Sequence, residues 1–524
     1  MPGYLALILH AHLPFVRHPE HERFLEESWL YEAITETYLP LADLIERWRK
    51  DRLNVRLTLT LTPTLCSMLS DPLLQSRYER RLSALIDLAE KEVHRTCWDA
   101  GCHRLAEAYL DRFTRLRARW HACDRNLLGV FRALQDQNRI EIATSAATHA
   151  VLPLLGDQPA AMRGQILTAR DHYRACFGRD AVGFWLPECA YAPGVEEFLR
   201  EANLRWFVVD THGLGNAVPR PRYGTYAPVY TPEGLAVFGR DIESARQVWS
   251  RNEGYPGDTR YRDFYRDIGF DLDFDYVRPY LPSPDHRGFT GIKYQSITGG
   301  KGGKRCYNPA DAQRAVTAQA AHFLEARERQ LARLAEVMDQ PPILTAPYDA
   351  ELFGHWWHEG LAFLDAVVRG ALDRASDFTF VTPTDYLRRH ATHQVARPSP
   401  STWGEGGHLG VWLNEKNEWI QPHLRVAEQR LTALVRRYPE PGELVDRALR
   451  QAARELMLAQ ASDWPFILHA GTSPEYAQRR VAAHLGRFQE LYDMLMAGAV
   501  DEAGLREMET VDNLFPNLDW RYWR

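Results

Sequence analysis

LALILHAHLP, residues 5–14, begins with five apolar residues and closes on His10, His12 and Pro14. A stretch with no polar face is what a strand buried on both sides of a parallel sheet requires. Six further segments read the same way: VRLTLTLTP (55–63), IEIATSAATHA (140–150), AVGFWLPE (181–188), RWFVVD (205–210), PILTAPYDA (342–350) and FTFVTPTDY (378–386). Helical stretches such as YLPLADLIERWRK (38–50), RRLSALIDLAEKEVHR (80–95) and ALDRASD (371–377) lie between them. Strand and helix in alternation argue for an α/β barrel or an open doubly wound sheet. Seven strands is close to a barrel's number, and polar residues recur at the C-terminal end of each. That is the end at which α/β barrels place their chemistry.

Two stretches break the alternation. Residues 213–305 are rich in Tyr, Gly, Pro and Asp and include RNEGYPGDTRYRDFYRDIGFDLD (251–273), so they read as an insertion over the barrel mouth. From about 395, ARPSPSTWGEGGHLG (396–410) leads into three helical runs. The expected organisation is a catalytic barrel over 1–394 carrying the insertion, then a helical domain over 395–524.

Composition is ordinary for a globular chain, with 25% charged and 45% hydrophobic residues. A net charge of −6 gives no reason to expect nucleic acid or an anionic membrane as partner. No apolar run has transmembrane length, and His10 and His12 interrupt the N-terminal apolar stretch, unlike a signal peptide. Seven cysteines without metal-site spacing suggest a reducing cytoplasm and no disulfide framework. Fifteen Trp and 23 Tyr are many, and flat rings are what sugar faces stack on.

His10 and His12 are alternate residues at a strand end, so they face one side together. With His149, past the third strand, they could grip a substrate or formally supply three zinc ligands, although no H-E-x-x-H is present. Glu141 sits early on its strand and reads as structural. Glu188 and Asp349 end the fourth and sixth strands, each preceded by Pro and an aromatic or Leu residue (WLPE, PYD). One such acid is often a helix cap or a satisfied carboxylate. Two of them over one cleft fit glycosyl transfer, in which one carboxyl attacks the anomeric carbon and the other protonates the leaving oxygen. Ser462, Asp463 and Trp464 in LMLAQASDWPF (456–466) either close the cleft or serve a domain interface. Trp403, Trp412 and Trp419 fall in and around a Gly-rich loop, where sugar stacking is favoured over core packing.

HAHLPFV, IEIATSAATHAVLP, FWLPECAY, APYDAELFGHWW and ASDWPF together resemble the five ordered segments of glycoside hydrolase family 57. The length, the helical C-terminal region and the YPGD…FYRDIGFDL stretch resemble its 1,4-α-glucan branching enzymes in particular. The resemblance implies a distorted (β/α)7 barrel and a retaining mechanism with no metal or other cofactor. It places the nucleophile on Glu188, the general acid/base on Asp349, a substrate contact on His10 and the cap tryptophans on Trp403 and Trp412. Phe270 stands where relatives often carry Trp, and Phe15 where many carry Tyr. His12, His149, Trp185, His355, Asp463 and Trp464 lie in the matched segments and join the substrate-binding candidates. Branching relatives use a Tyr-bearing loop, for which Tyr226 and Tyr230 in YGTYAPVYTPEG (223–234) are the lid candidates. The implied donor and acceptor are α-1,4 glucan, handled by a cytoplasmic protein for which a monomer is favoured. The rival readings are a family 57 amylase or 4-α-glucanotransferase, a zinc hydrolase or deacetylase on a similar barrel, and a glucan-binding protein with a decayed site.

Overall fold

The computed structural model describes residues 3–250, 253–298, 305–374, 376 and 378–524. Residues 251–252 and 299–304 of the expected insertion, and 375 and 377 of the ALDRASD stretch, lie outside the described residues. Among the described residues, nine strands form one sheet system. They are β1 (Gly3–Ala11), β2 (Leu57–Leu61), β3 (Ile140–Ser145), β4 (Gly183–Trp185), β5 (Trp206–Val209), β6 (Val229–Tyr230), β7 (Ala236–Gly239), β8 (Ile343–Asp349) and β9 (Phe378–Phe380). Seven run parallel in the order β7-β5-β4-β3-β2-β1-β8. The two ends meet where Arg240, just past β7, bridges Thr345 of β8, and the Asp241 N–H donates to the Thr345 carbonyl at 2.8 Å. The sheet is therefore a distorted seven-stranded barrel.

The expected number of strands is right, but one member differs. FTFVTPTDY yields only β9, which pairs with Gly3–Leu5 at the start of β1 and is not a barrel stave in its own right. The seventh stave is β7, AVFG, inside the stretch read as an insertion. Four residues among Gly and Pro carry too little periodicity to stand out. β6 pairs antiparallel with the first half of β7.

β1 shows how the sequence builds the core. Leu5, Leu7, Leu9 and Ala11 belong to the large hydrophobic core that the helices share, while Tyr4, Ala6 and Ile8 fill a smaller one with Trp206, Val208, Phe238 and Ile343. The period of two sends alternate residues to the two cores, and continuing it places His10 on the inner face at the C-terminal rim.

The insertion leans on two long helices, Pro72–Arg95 and Ala100–Ala122. Tyr294 Oη donates to Glu92 Oε2 at 2.9 Å, and Tyr109 Oη donates to the Lys293 carbonyl at 2.9 Å. Residues 394–403 are not a free linker. They run up the barrel wall through bridges of Val395 to Tyr230, Arg397 to Val218 and Ser401 to Tyr191, and end with the Trp403 N–H on the Glu188 carbonyl at 3.1 Å. The first long helix after this strip is Ile420–Arg437. Its main partners are Glu443–Ala459 and Pro474–Ala497, in line with the expected helical runs.

Candidate active site

Parallel pairing of β1 with β8 sets His10 opposite Asp349 in register. Paired residues of neighbouring strands face the same side, so Asp349 shares the inner face with His10. β4 ends at Trp185, and three residues later Glu188 takes a left-handed conformation, φ 63° and ψ 23°. Such a backbone costs a non-glycine residue about 1–2 kcal/mol. It turns the Glu188 carboxylate out of the strand direction and toward the rim. His149 is held the same way at φ 58°. Strain of this kind concentrates where surrounding contacts dictate a side chain's position.

Those contacts are specific. Trp403 Nε1 donates to Glu188 Oε2 at 2.8 Å, and Ser462 Oγ donates to Oε1 at 3.1 Å. Ser462 Oγ lies 2.8 Å from His149 Nδ1, and His149 Nε2 lies 3.0 Å from His10 Nε2. Burial, joined by the charge of His12, holds both His10 and His149 well below the usual imidazole range, so both rings are neutral. Neutrality fixes the direction of the chain. Ser462 spends its proton on Glu188, so it accepts from His149 Nδ1–H; His149 Nε2 then accepts from His10 Nε2–H. His10 Nδ1 is left bare, and it is a buried atom without a partner. The whole chain of donors points at the Glu188 carboxylate.

Asp349 has the opposite surroundings. Burial and the charges of Glu351 and Glu188 push its carboxyl well above the usual range, against the opposing effect of Arg240. Among the described residues nothing donates a hydrogen bond to it. Glu188 is also raised by burial, but the Trp403 and Ser462 hydrogen bonds counter the shift. Both carboxyls are raised, but only Glu188 has donors that favour its charged form.

The remaining candidates divide. Trp185 stacks on His10 with ring centroids 4.6 Å apart and meets Trp403 edge-on at 5.0 Å. His12 reaches Thr62 through Nδ1 at 3.0 Å and Asp463 through Nε2 at 3.2 Å. The His12 and His149 rings stack with centroids 3.8 Å apart. These rings, bonded to one another, to Ser462, to Thr62 and to Asp463, form a hydrogen-bond network. A tight Glu455, His484 and Asp512 trio does exist in the C-terminal helices, but Arg487, 2.6 Å from Asp512, already supplies positive charge there.

Trp412 and Trp464 are not exposed platforms. Trp412 is 1% exposed, packs with Val151, Ala190 and Val411, and lies so close to Gly404 that a Cβ there would meet its ring at 2.7 Å. Trp464 is fully buried and donates to the Leu458 carbonyl. His355 is held by Glu36 at 2.5 Å, with the edge of Phe264 against its ring. Phe270 is 45% exposed and rests on Phe289 in the insertion. The lid candidates sit at the wrong end. Tyr230 pairs with Ala236 at the start of β7, and the Tyr226 carbonyl accepts from Ile343 N at the start of β8. Both are on the N-terminal side of the barrel, opposite Glu188. Glu141 accepts from Trp206 Nε1 and from the Thr384 hydroxyl.

Residues 6–398, three quarters of the chain, match glycosyl hydrolase family 57. The chain belongs to glycoside hydrolase family 57. Residues 423–523 match the C-terminal region of 1,4-alpha-glucan branching enzymes. This family 57 chain is 35% identical to the 1,4-alpha-glucan branching enzyme TK1436 of Thermococcus kodakarensis, over 98% of its own length and 78% of that protein's. Among solved structures it resembles the alpha-amylase AmyC of Thermotoga maritima, with 41% identity, TM-score 0.93, and 100% and 99% of the two chains covered. It also resembles the GH57-type branching enzyme of Pyrococcus horikoshii, with 32% identity, TM-score 0.90, and 100% and 97% covered.

Two residues of this family 57 site escaped the sequence reading. Arg240 spans Asp210 at 3.2 Å and the Trp403 ring at 5.6 Å. It follows β7, the unrecognised stave, so nothing marked it as a strand end. Glu351 accepts from the His12 N–H at 3.2 Å and from Tyr38 Oη. It lies two residues past Asp349 and could have been drawn from APYDAE as a third acid.

Proposed function

We infer that the protein is a 1,4-α-glucan branching enzyme acting by retaining double displacement. One observation carries the chemistry: two carboxyls at the C-terminal rim with opposite hydrogen-bond surroundings. Glu188, charged and held by Trp403 and Ser462, attacks C1 of an α-1,4-linked glucose from the β face. Asp349, protonated, gives its proton to the departing glycosidic oxygen, and a β-glucosyl ester on Glu188 results. Asp349 is now a carboxylate and takes the proton of the 6-hydroxyl of a second glucan chain. That oxygen attacks C1, releases Glu188 and leaves an α-1,6 branch. His10, Trp185 and Trp403 form the wall beneath the sugar that reacts, with His12 and Asp463 beside it. The substrate is α-glucan, as donor and acceptor.

Branching in place of hydrolysis rests on the match of residues 423–523. A second reading is favoured by two facts: the 41% identity to a protein described as an alpha-amylase, and the position of Tyr226 and Tyr230 away from Glu188. In that reading water is the acceptor. Proton NMR of amylose incubated with the protein decides between them. Growth of the α-1,6 anomeric signal without matching new reducing ends supports branching. New reducing ends with no α-1,6 signal overturn it in favour of the amylase. Silence from both overturns the enzymatic reading altogether.

A further inference from the structure

Cys102 lies in the first turn of the helix Ala100–Ala122, and Cys306 lies near the end of the insertion, 204 residues later. Their Sγ atoms are 4.0 Å apart. Neither backbone is loose. Asp99 caps the helix by accepting from the Gly101 and Cys102 N–H groups at 3.0 and 3.1 Å. Cys306 is bridged to Gln295, and Tyr307 N donates to the Tyr294 carbonyl at 2.8 Å. The same seam is already joined by Tyr294 to Glu92 and by Tyr109 to Lys293. The fold therefore brings the two thiols together at the end of a docked edge, and closing the 4.0 Å gap to an S–S bond asks for side-chain rotation toward each other.

We propose that Cys102 and Cys306 form a disulfide that staples the insertion to the helical layer of the barrel. This departs from the expectation of seven unpaired thiols. With a small-molecule disulfide such as oxidised glutathione as oxidant, one cysteine thiolate attacks its S–S bond and expels a glutathione thiolate. The second cysteine then attacks the mixed disulfide and expels the other. Two protein thiols are oxidised, one small disulfide is reduced to two thiols, and both protons pass to glutathione. Burial and the neighbouring Asp99 push the Cys102 thiol up to about 12, and burial raises that of Cys306. Scarce thiolate makes closure slow. It also leaves the reduced form without a stabilised thiolate, so the closed bond resists reduction. Cys97, exposed and five residues before Cys102, is the competing partner.

The test uses the full chain, fully reduced and then incubated with oxidised glutathione, followed by alkylation under denaturing conditions and peptide mapping. The expected product is a Cys102–Cys306 cross-linked peptide that is absent from Cys102→Ser and from Cys306→Ser. Closing a loop of this length should raise the Tm of the oxidised protein by about 3–5 °C over the reduced one. Cys102→Ser should show no such difference. Alkylation of both Cys102 and Cys306 after oxidation, glutathione adducts alone, or a link to Cys97 overturns the proposal. A cross-link without a Tm difference overturns the stapling role. The wild-type peptide map decides the pairing even where a variant folds poorly.

Discussion

Ser462 Oγ lies 3.1 Å from Glu188 Oε1, although the two residues are 274 positions apart. The serine belongs to the helical C-terminal unit, so the Glu188 carboxylate is held partly from outside its own barrel. Ser462→Ala removes a hydrogen bond to a charged group and should lower kcat by about 10–100-fold. It should also raise the pKa of Glu188, so the acid limb of the kcat/KM profile moves to higher pH while KM changes little. A lowered Tm with an unmoved acid limb would show the serine to be structural only.

Glu188→Ala should lower turnover by ~10⁴-fold or more if it carries the covalent bond. Azide can enter the space vacated by the carboxylate and attack from the same face. Rescue with a β-glucosyl azide product, read by NMR, identifies Glu188 as the nucleophile. Rescue giving the α-azide would place the attacking group elsewhere.

Asp349→Asn should cost about 10²–10⁴-fold on glucan, and much less on a substrate whose leaving group needs no proton. In the wild type kcat/KM should fall as pH rises through the Asp349 pKa, because the proton donor is then lost. Stability has the same sign. The folded carboxyl is raised above its ordinary value of 3.8, so its contribution is present below that pH and is lost as pH rises through the folded pKa. Asp349→Asn, which cannot ionise, should therefore gain Tm relative to wild type as pH rises. A constant offset in Tm across the range would contradict this.

Tyr230→Ala should leave the ratio of α-1,6 bonds to reducing ends unchanged, because its ring packs near His393 at the foot of the barrel. The same NMR assay measures it. A shift toward hydrolysis would mean that this hairpin reaches the catalytic rim.

Trp403 and Trp464 should separate function from packing. Trp403→Phe removes the donor to Glu188 while keeping an aromatic ring beside Trp185 and Arg240, and should cost turnover with a small change in Tm. Trp464→Ala empties a fully buried site and should cost about 3–5 kcal/mol of stability. Thermal denaturation of the two variants beside their kcat values checks the contrast.

The strongest parts of the sequence reading were local. LALILHAHLP and PILTAPYDA announce buried strands because their apolar runs leave no polar face, and the acids and histidines at their ends stand out against them. The period of two carries His10 to the inner face, and the long amphipathic runs after 418 become helices. β7 and its Arg240 stayed hidden, since four residues between Gly and Pro have no periodicity to detect. The Gly-rich neighbourhood of Trp412 suggests exposure, whereas in the fold Gly404 is small and the indole packs against it.

Residue type and spacing alone determined which chemistry was on offer: two carboxyls, three histidines and an aromatic wall at strand ends. Which carboxyl keeps its proton was a tertiary decision. It depends on Trp403 and Ser462 arriving from more than 200 residues away to solvate Glu188, while among the described residues no donor hydrogen-bonds to Asp349. Protonation follows from burial and from donors close in space, and distance along the chain carries no information about either.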